Sequence, residues 1–118
     1  MSYIDGFVIP VPVAKREAFI ALASTFDAIL IEFGATRAME CWGDDVPEGK
    51  LTDFRRAVQA KDDEAMVFSW IEWPDKATRD AGMAKIMQDP RLPQDGEMPF
   101  DGKRMILGGF VPVVSLPA

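Results

Sequence analysis

The segment Glu64–Trp73 carries large apolar residues on both of its parities, and no other feature restricts the fold of this chain as much. Met66, Phe68 and Trp70 alternate with Val67, Ile71 and Trp73, so as a strand it has two faces to keep from water. Pro74 ends it. Thr36 to Gly43 behaves alike, with Ala38, Glu40 and Trp42 on one parity and Arg37, Met39 and Cys41 on the other. A sheet built from such strands needs a cover on each side.

The remaining segments supply one cover. Tyr3 to Pro10 reads as a strand rich in aromatic and β-branched residues, stopped by Pro10 and Pro12. From about Val13 to Phe33, the residues Phe19, Leu22, Ala23, Phe26, Ile29, Leu30 and Phe33 recur at steps of three and four. They form one face of a helix, and Gly34 takes the left-handed position after its end. A second helix starts at Asp75 or Thr78 and runs to about Asp89, with Ala77, Ala81, Met83, Ala84 and Met87 turned inward. Arg91 to Gly102 is a loop with Pro93, Gly96 and Pro99, closed by the turn Asp101-Gly102. The last strand spans Lys103 to Val114, where Gly108-Gly109 marks a bulge or a close approach to the backbone. Between the second and third strands, Asp45–Asp63 holds a short helix or an irregular arm that Thr52 is placed to cap, with Phe54, Ala57 and Val58 on one side.

The order β-α-β-β-α-β predicts an α+β, ferredoxin-like fold: a four-stranded antiparallel sheet with both helices on one face. A chain of 118 residues makes a single domain, 1–118. The other sheet face, with Phe68 and Trp70, is then a large exposed apolar patch, and a second copy of the same sheet covers it most simply. The expected assembly is a homodimeric α+β barrel.

Composition narrows the chemistry. With no His and with Cys41 as the sole Cys, the chain alone cannot build Ser-His-Asp or Cys-His catalysis, a His-ligated zinc, iron or haem site, or an intrachain disulfide. No metal site and no cofactor is expected. The net charge of −6 argues against nucleic acid, whose phosphates need a concentrated positive surface. No apolar run is long enough for a membrane span, and Met1 to Asp5 lacks the basic and apolar regions of a signal peptide. A lone Cys fits a cytoplasmic location.

Several runs carry a resemblance: Tyr3-Ile4-Asp5-Gly6-Phe7, Glu40 to Pro47, Thr52-Asp53-Phe54, Val67 to Glu72, Pro99 to Ile106, and Gly108-Gly109-Phe110. In these the chain resembles the YbaA-like family of small bacterial proteins, a domain of unknown function. The resemblance implies the dimeric α+β barrel and no established activity.

Two kinds of residue are candidates for chemistry. Asp5, Glu40 and Glu72 are strand carboxylates among large apolar residues, where burial raises a pKa and permits acid–base work. Paired with Arg37 or Arg104, they are structural instead. Trp42, Phe68, Trp70 and Phe110 are aromatics able to line a pocket, and equally able to be plain packing. As a site, Glu40, Glu72 or Asp5 would take a proton from an activated carbon. Arg104 or Arg37 would steady the resulting enolate, and Trp42 and Trp70 would stack on the substrate. Cys41 has no adjacent base and ranks low. The basic run Lys50, Arg55, Arg56 and Lys61 either closes over a ligand or partner or is a solvated surface, and Asp44, Asp45 and Glu48 fit a capped turn better than a cation site. The functional reading is a homodimer that binds or acts on a small organic molecule in the barrel cavity; the alternative is a non-catalytic homodimeric binding or interaction module.

Overall fold

A computed structural model describes residues 2–93 and 98–117. Its strands are β1 (Tyr3–Pro12), β2 (Arg37–Trp42), β3 (Glu64–Trp73) and β4 (Ile106–Phe110). Its helices are α1 (Arg16–Glu32), α2 (Phe54–Ala57) and α3 (Lys76–Ile86), with a 3-10 turn at Val13–Lys15 leading into α1. The strands form one antiparallel sheet in the order β2-β3-β1-β4. This is the ferredoxin-like α+β topology.

One face of the sheet packs on the helices. Val11 and Ile9 of β1 with Val67 of β3 meet Phe19 and Ala23 of α1, while Ile71 and Trp73 meet Ile29, Leu30 and Ile86. Helix α1 ends where Gly34 adopts φ +118°, a conformation that favours glycine. Helix α3 begins at Asp75, whose carboxylate accepts from Thr78 N at 2.7 Å.

The structure corrects several boundaries. Strand β1 runs through both prolines, because β4 pairs only with Ile4–Val8. Beyond Val8 the strand has β3 as its one neighbour, so Pro10 and Pro12 can turn their missing N–H to an open edge. Helix α3 ends at Ile86 and is rotated from the face its alanines suggest: Gly82 and Ile86 are buried, whereas Ala77, Ala81, Ala84 and Met87 are exposed. Gly82 sets that rotation, since a Cβ there would stand 2.7 Å from the Trp73 ring. Strand β4 is shorter than Lys103–Val114, because the Asp101–Arg104 turn occupies its first residues and Pro112 removes a donor beyond its end. Its register against β1 is unbroken, so Gly108-Gly109 is no bulge. The glycines answer a close approach: the Tyr3 ring lies against Gly109, and the Phe110 ring lies over Gly6 and Gly108. The cap of α2 is Asp53 and not Thr52, its carboxylate accepting from Arg56 N at 2.7 Å. Gly96, read as part of a loop, lies outside the described residues.

Asp5 ties three elements together under the helices. Its carboxylate accepts from Trp73 Nε1 at 2.9 Å and from Arg79 Nη2 at 2.7 Å and Nε at 3.1 Å. The guanidinium also lies 5.0 Å above the Tyr3 ring centre. Removing one partner of a buried pair strands the other, so Asp5→Ala is expected to cost about 3–5 kcal/mol in urea unfolding.

Glu64 and Arg104 make a second buried pair where β3 starts. Arg104 donates through Nη1 and Nη2 to the two Glu64 oxygens at 2.7 and 2.6 Å, and also reaches Gln59 O and Asp101. The Arg104 hydrogen bonds hold the Glu64 carboxyl down at about 2. A depressed carboxylate pKa stabilises the fold above the ordinary value and loses that stabilisation as pH falls through the folded one. Urea midpoints should therefore decline as pH drops from about 4.5 toward 2. Glu64→Gln should be less stable than the parent at pH 7 and decline less over that acid range.

Candidate functional site

A cavity of about 290 Å³ lies between α1, the sheet and the segments around Leu92 and Phe100. Its walls follow from the helical and strand periods. Phe19, Ala23 and Asp27 stand one turn apart on the inward stripe of α1. Ile9, Ser69 and Ile71 come up from the sheet, and Phe100 closes one side, its ring 5.9 Å from that of Phe19. The walls are almost wholly apolar; Asp27 and Glu40 are the only ionisable residues among the described ones lining it.

These two carboxyls face each other. Glu40 sits on β2 directly opposite Ser69 of β3, and Asp27 reaches down from α1. Glu40 is exposed as a residue on the sheet edge, yet its carboxyl faces the cavity wall. Desolvation there, with the hydrogen bond and negative charge of Asp27, pushes it up to about 8, and the Ser69 hydroxyl opposes this weakly. Asp27 is also raised, by desolvation first, with the Glu40 hydrogen bond acting the other way. Among the described residues, no N–H or hydroxyl donor reaches the buried Asp27 Oδ1, and Glu40 is the group that hydrogen-bonds to Asp27. Glu40 therefore keeps its proton at neutral pH and can share it with Asp27. Such a pair can give or take a proton without a metal or cofactor.

An adjoining cleft of about 280 Å³ opens the same carboxyls toward Arg16, Ser24, Cys41 and Trp42. Arg16 there lies 5.3 Å above the Trp42 ring centre and bonds Glu17 at 3.2 Å. Among the described residues no cluster of three or more His, Cys, Asp or Glu side chains is arranged to hold a metal, and no helix is long and apolar enough to cross a membrane.

The other sheet face is open and concave, enclosing about 640 Å³ among Ile4, Val8, Phe68, Trp70, Ile106 and Phe110. Phe68 and Phe110 are 46% and 59% exposed, enough to make this face an uncovered apolar surface. Phe54 of α2 packs edge-on to Phe68 with ring centres 6.0 Å apart, so the arm covers one corner.

The structure divides the sequence-named residues between the two faces of the sheet. Glu40 and Trp42 lie on the helix side, because the register pairs them with Ser69 and Val67. Phe68, Trp70, Glu72 and Phe110 lie on the open face, where Trp70 Nε1 donates to Glu72 at 2.9 Å. Arg37 is exposed on the edge strand opposite Glu72. Asp5 is engaged by Arg79 and Trp73, and Arg104 by Glu64 and Asp101, so neither faces Glu40 across a common space. The arm's arginines serve the arm itself: Arg55 bonds the carbonyls of Lys61 and Glu64, and Arg56 that of Lys50. Asp27 is the functional candidate the sequence reading passed over. The sign was present, since a carboxylate four residues after Ala23 falls within the helix's apolar stripe.

Glu40 also gives the site a thermal signature. A raised carboxyl pKa means the folded chain holds more protons here than the unfolded one, so the stability contributed by Glu40 is fully present below about 4.5 and is lost as pH climbs to about 8. Glu40→Gln, neutral throughout, should melt a few degrees above the parent at pH 9 and within error of it at pH 4.5, by scanning calorimetry.

The family model described as "Protein of unknown function (DUF1428)" matches residues 2–102. The chain is 54% identical over 115 residues to the protein named "Uncharacterized protein YbaA" of Escherichia coli (strain K12), covering 97% of this chain and 98% of that one, and equally to that of Shigella flexneri. Among solved structures it is similar to SnoaB, a cofactor-independent oxygenase from Streptomyces nogalater, with TM-score 0.59 and 16% identity over 99% of this chain and 98% of that one. That likeness supports the fold alone. The chain belongs to the DUF1428 family.

Proposed function

We propose that this chain is a single-domain, cytoplasmic homodimer whose protomers each bind a small organic molecule in the helix-side cavity, with the Asp27–Glu40 pair exchanging a proton with it. One observation carries the reading: an otherwise apolar cavity has two facing carboxyls, Asp27 and Glu40, in its wall. The site differs from the one the sequence suggested, which lay between the two sheets and drew on Glu40, Glu72 or Asp5 with Arg104 or Arg37; Glu40 is common to both. The open face, with Phe68, Trp70 and Phe110, is assigned to the second copy. The tail after β4 extends the same apolar surface, since Val111 and Pro112 border it and Val113 is 92% exposed.

The pair suits chemistry that begins with a proton. Glu40 as the acid can protonate a bound group, and the Asp27–Glu40 anion can accept a proton from an acidic one. SnoaB, which shares the fold, is an oxygenase that works without a cofactor, and by that analogy this reading calls for none.

Naphthalene tests the cavity. Calorimetric titration should show binding to the parent and none to Ala23→Phe, whose ring fills the space beneath α1; equal binding by the two would place the ligand elsewhere. The interface is tested separately by light scattering. The parent should run as a dimer at micromolar concentration, and Phe110→Asp should run as a monomer with unchanged far-UV circular dichroism. A monomeric parent would remove the reason for a second copy.

A further inference from the structure

Among the described residues the Asp27–Glu40 pair has no counter-ion. No Lys or Arg of the described residues forms an ion pair with either carboxyl. The cavity lining among those residues holds no basic side chain, and the chain between Pro93 and Met98, Gln94-Asp95-Gly96-Glu97, has none in its sequence. Arg16, the one cation on the adjoining cleft, bonds Glu17 and stacks on Trp42. Among the described residues the buried acidic residues are paired: Asp5 with Arg79, Glu64 with Arg104, and Asp89 with Arg91. Sheltered charge without a partner is costly, so this exception points to a charge supplied from outside.

From that vacancy in the charge balance we infer that the cavity's ligand is a small lipophilic ammonium: an aryl or alkyl body in the apolar cavity, with its cationic nitrogen on Asp27 and Glu40. The polar end is complementary to such a group. It offers carboxyl oxygens of Asp27 and Glu40, including the buried Asp27 Oδ1 that no N–H or hydroxyl reaches, with the Ser69 hydroxyl beside them. An ammonium is all donor and has no lone pair to oppose those oxygens. The nearby rings of Phe19, Phe26 and Phe100 present faces and edges that hold an organic body and tolerate a cation. An anion of the same shape would meet like charge with no arginine to receive it.

The inference rests on the cavity reading, and four isosteric probes separate the two: naphthalene, naphthalenemethanol, naphthylmethylamine and naphthoate, titrated calorimetrically at pH 7. The amine should bind at least tenfold more tightly than the alcohol, and naphthoate more weakly than naphthalene. The double variant Asp27→Asn/Glu40→Gln, which removes both carboxyls while nearly keeping their shape, should bring the ratio of amine to alcohol affinity close to one, whereas either single change leaves one carboxyl and keeps the preference for the amine. If the alcohol matches the amine in the parent, or naphthoate binds as well as naphthalene, the ammonium assignment is overturned while the cavity stands. If none of the four binds, both fall. Because the first comparison uses the parent chain alone, a variant that fails to fold does not blunt it.

Discussion

A sheet that places Ile71 and Trp73 on one face and Phe68 and Trp70 on the other has two apolar faces, and the described helices cover one of them. Everything else answers to that constraint. Helices α1 and α3 take the face of β3 that carries Val67, Ser69, Ile71 and Trp73, and the core closes there. The opposite face keeps an apolar concavity that only the corner at Phe54 begins to cover. Burying such a face contributes about 25 cal/mol for each Å² of apolar surface, a drive toward association that no surface salt bridge matches.

Much of this was legible in the chain itself. Strand β3 spans Glu64–Trp73 as its alternation indicates, and the stripe Phe19, Ala23, Ile29 and Leu30 does face the core. What parity cannot convey is how one strand's faces align with another's. Glu40 and Trp42 share a parity, and so do Phe68 and Trp70, but only the cross-strand pairing of Glu40 with Ser69 shows that the two sets point to opposite sides. The helix face of α3 was misjudged for a related reason. Its alanines form a plausible inward stripe, but contact with Trp73 is decided by the residue lacking a Cβ, Gly82.

Ion pairs were the least readable part. Asp5 and Arg79 stand 74 residues apart, and Arg104 and Glu64 stand 40 apart, so neither pair leaves a local signature. Both tie the chain at elements that meet only after the sheet is registered. Asp5 joins β1 to β3 through Trp73 and to α3 through Arg79; Arg104 fastens the segment before β4 to the start of β3. The arginines that sequence reasoning assigned to enolate chemistry or to a basic surface prove in large part to be such fasteners.

The same alternation that divides the faces also links the cavity to the interface. Ser69 faces Glu40 from one side of β3, while its neighbours Phe68 and Trp70 project from the other. A backbone shift that loosened Phe68 and Trp70 would move Ser69 with it, because a strand cannot reorient one side chain without its neighbours. A cover on the open face would therefore also steady Ser69 opposite Glu40. On this physical ground the open face and the carboxyl pair are not independent: Phe68 and Trp70 on one side of β3 and Ser69 on the other share one backbone, so what happens at the open face bears on the cavity wall.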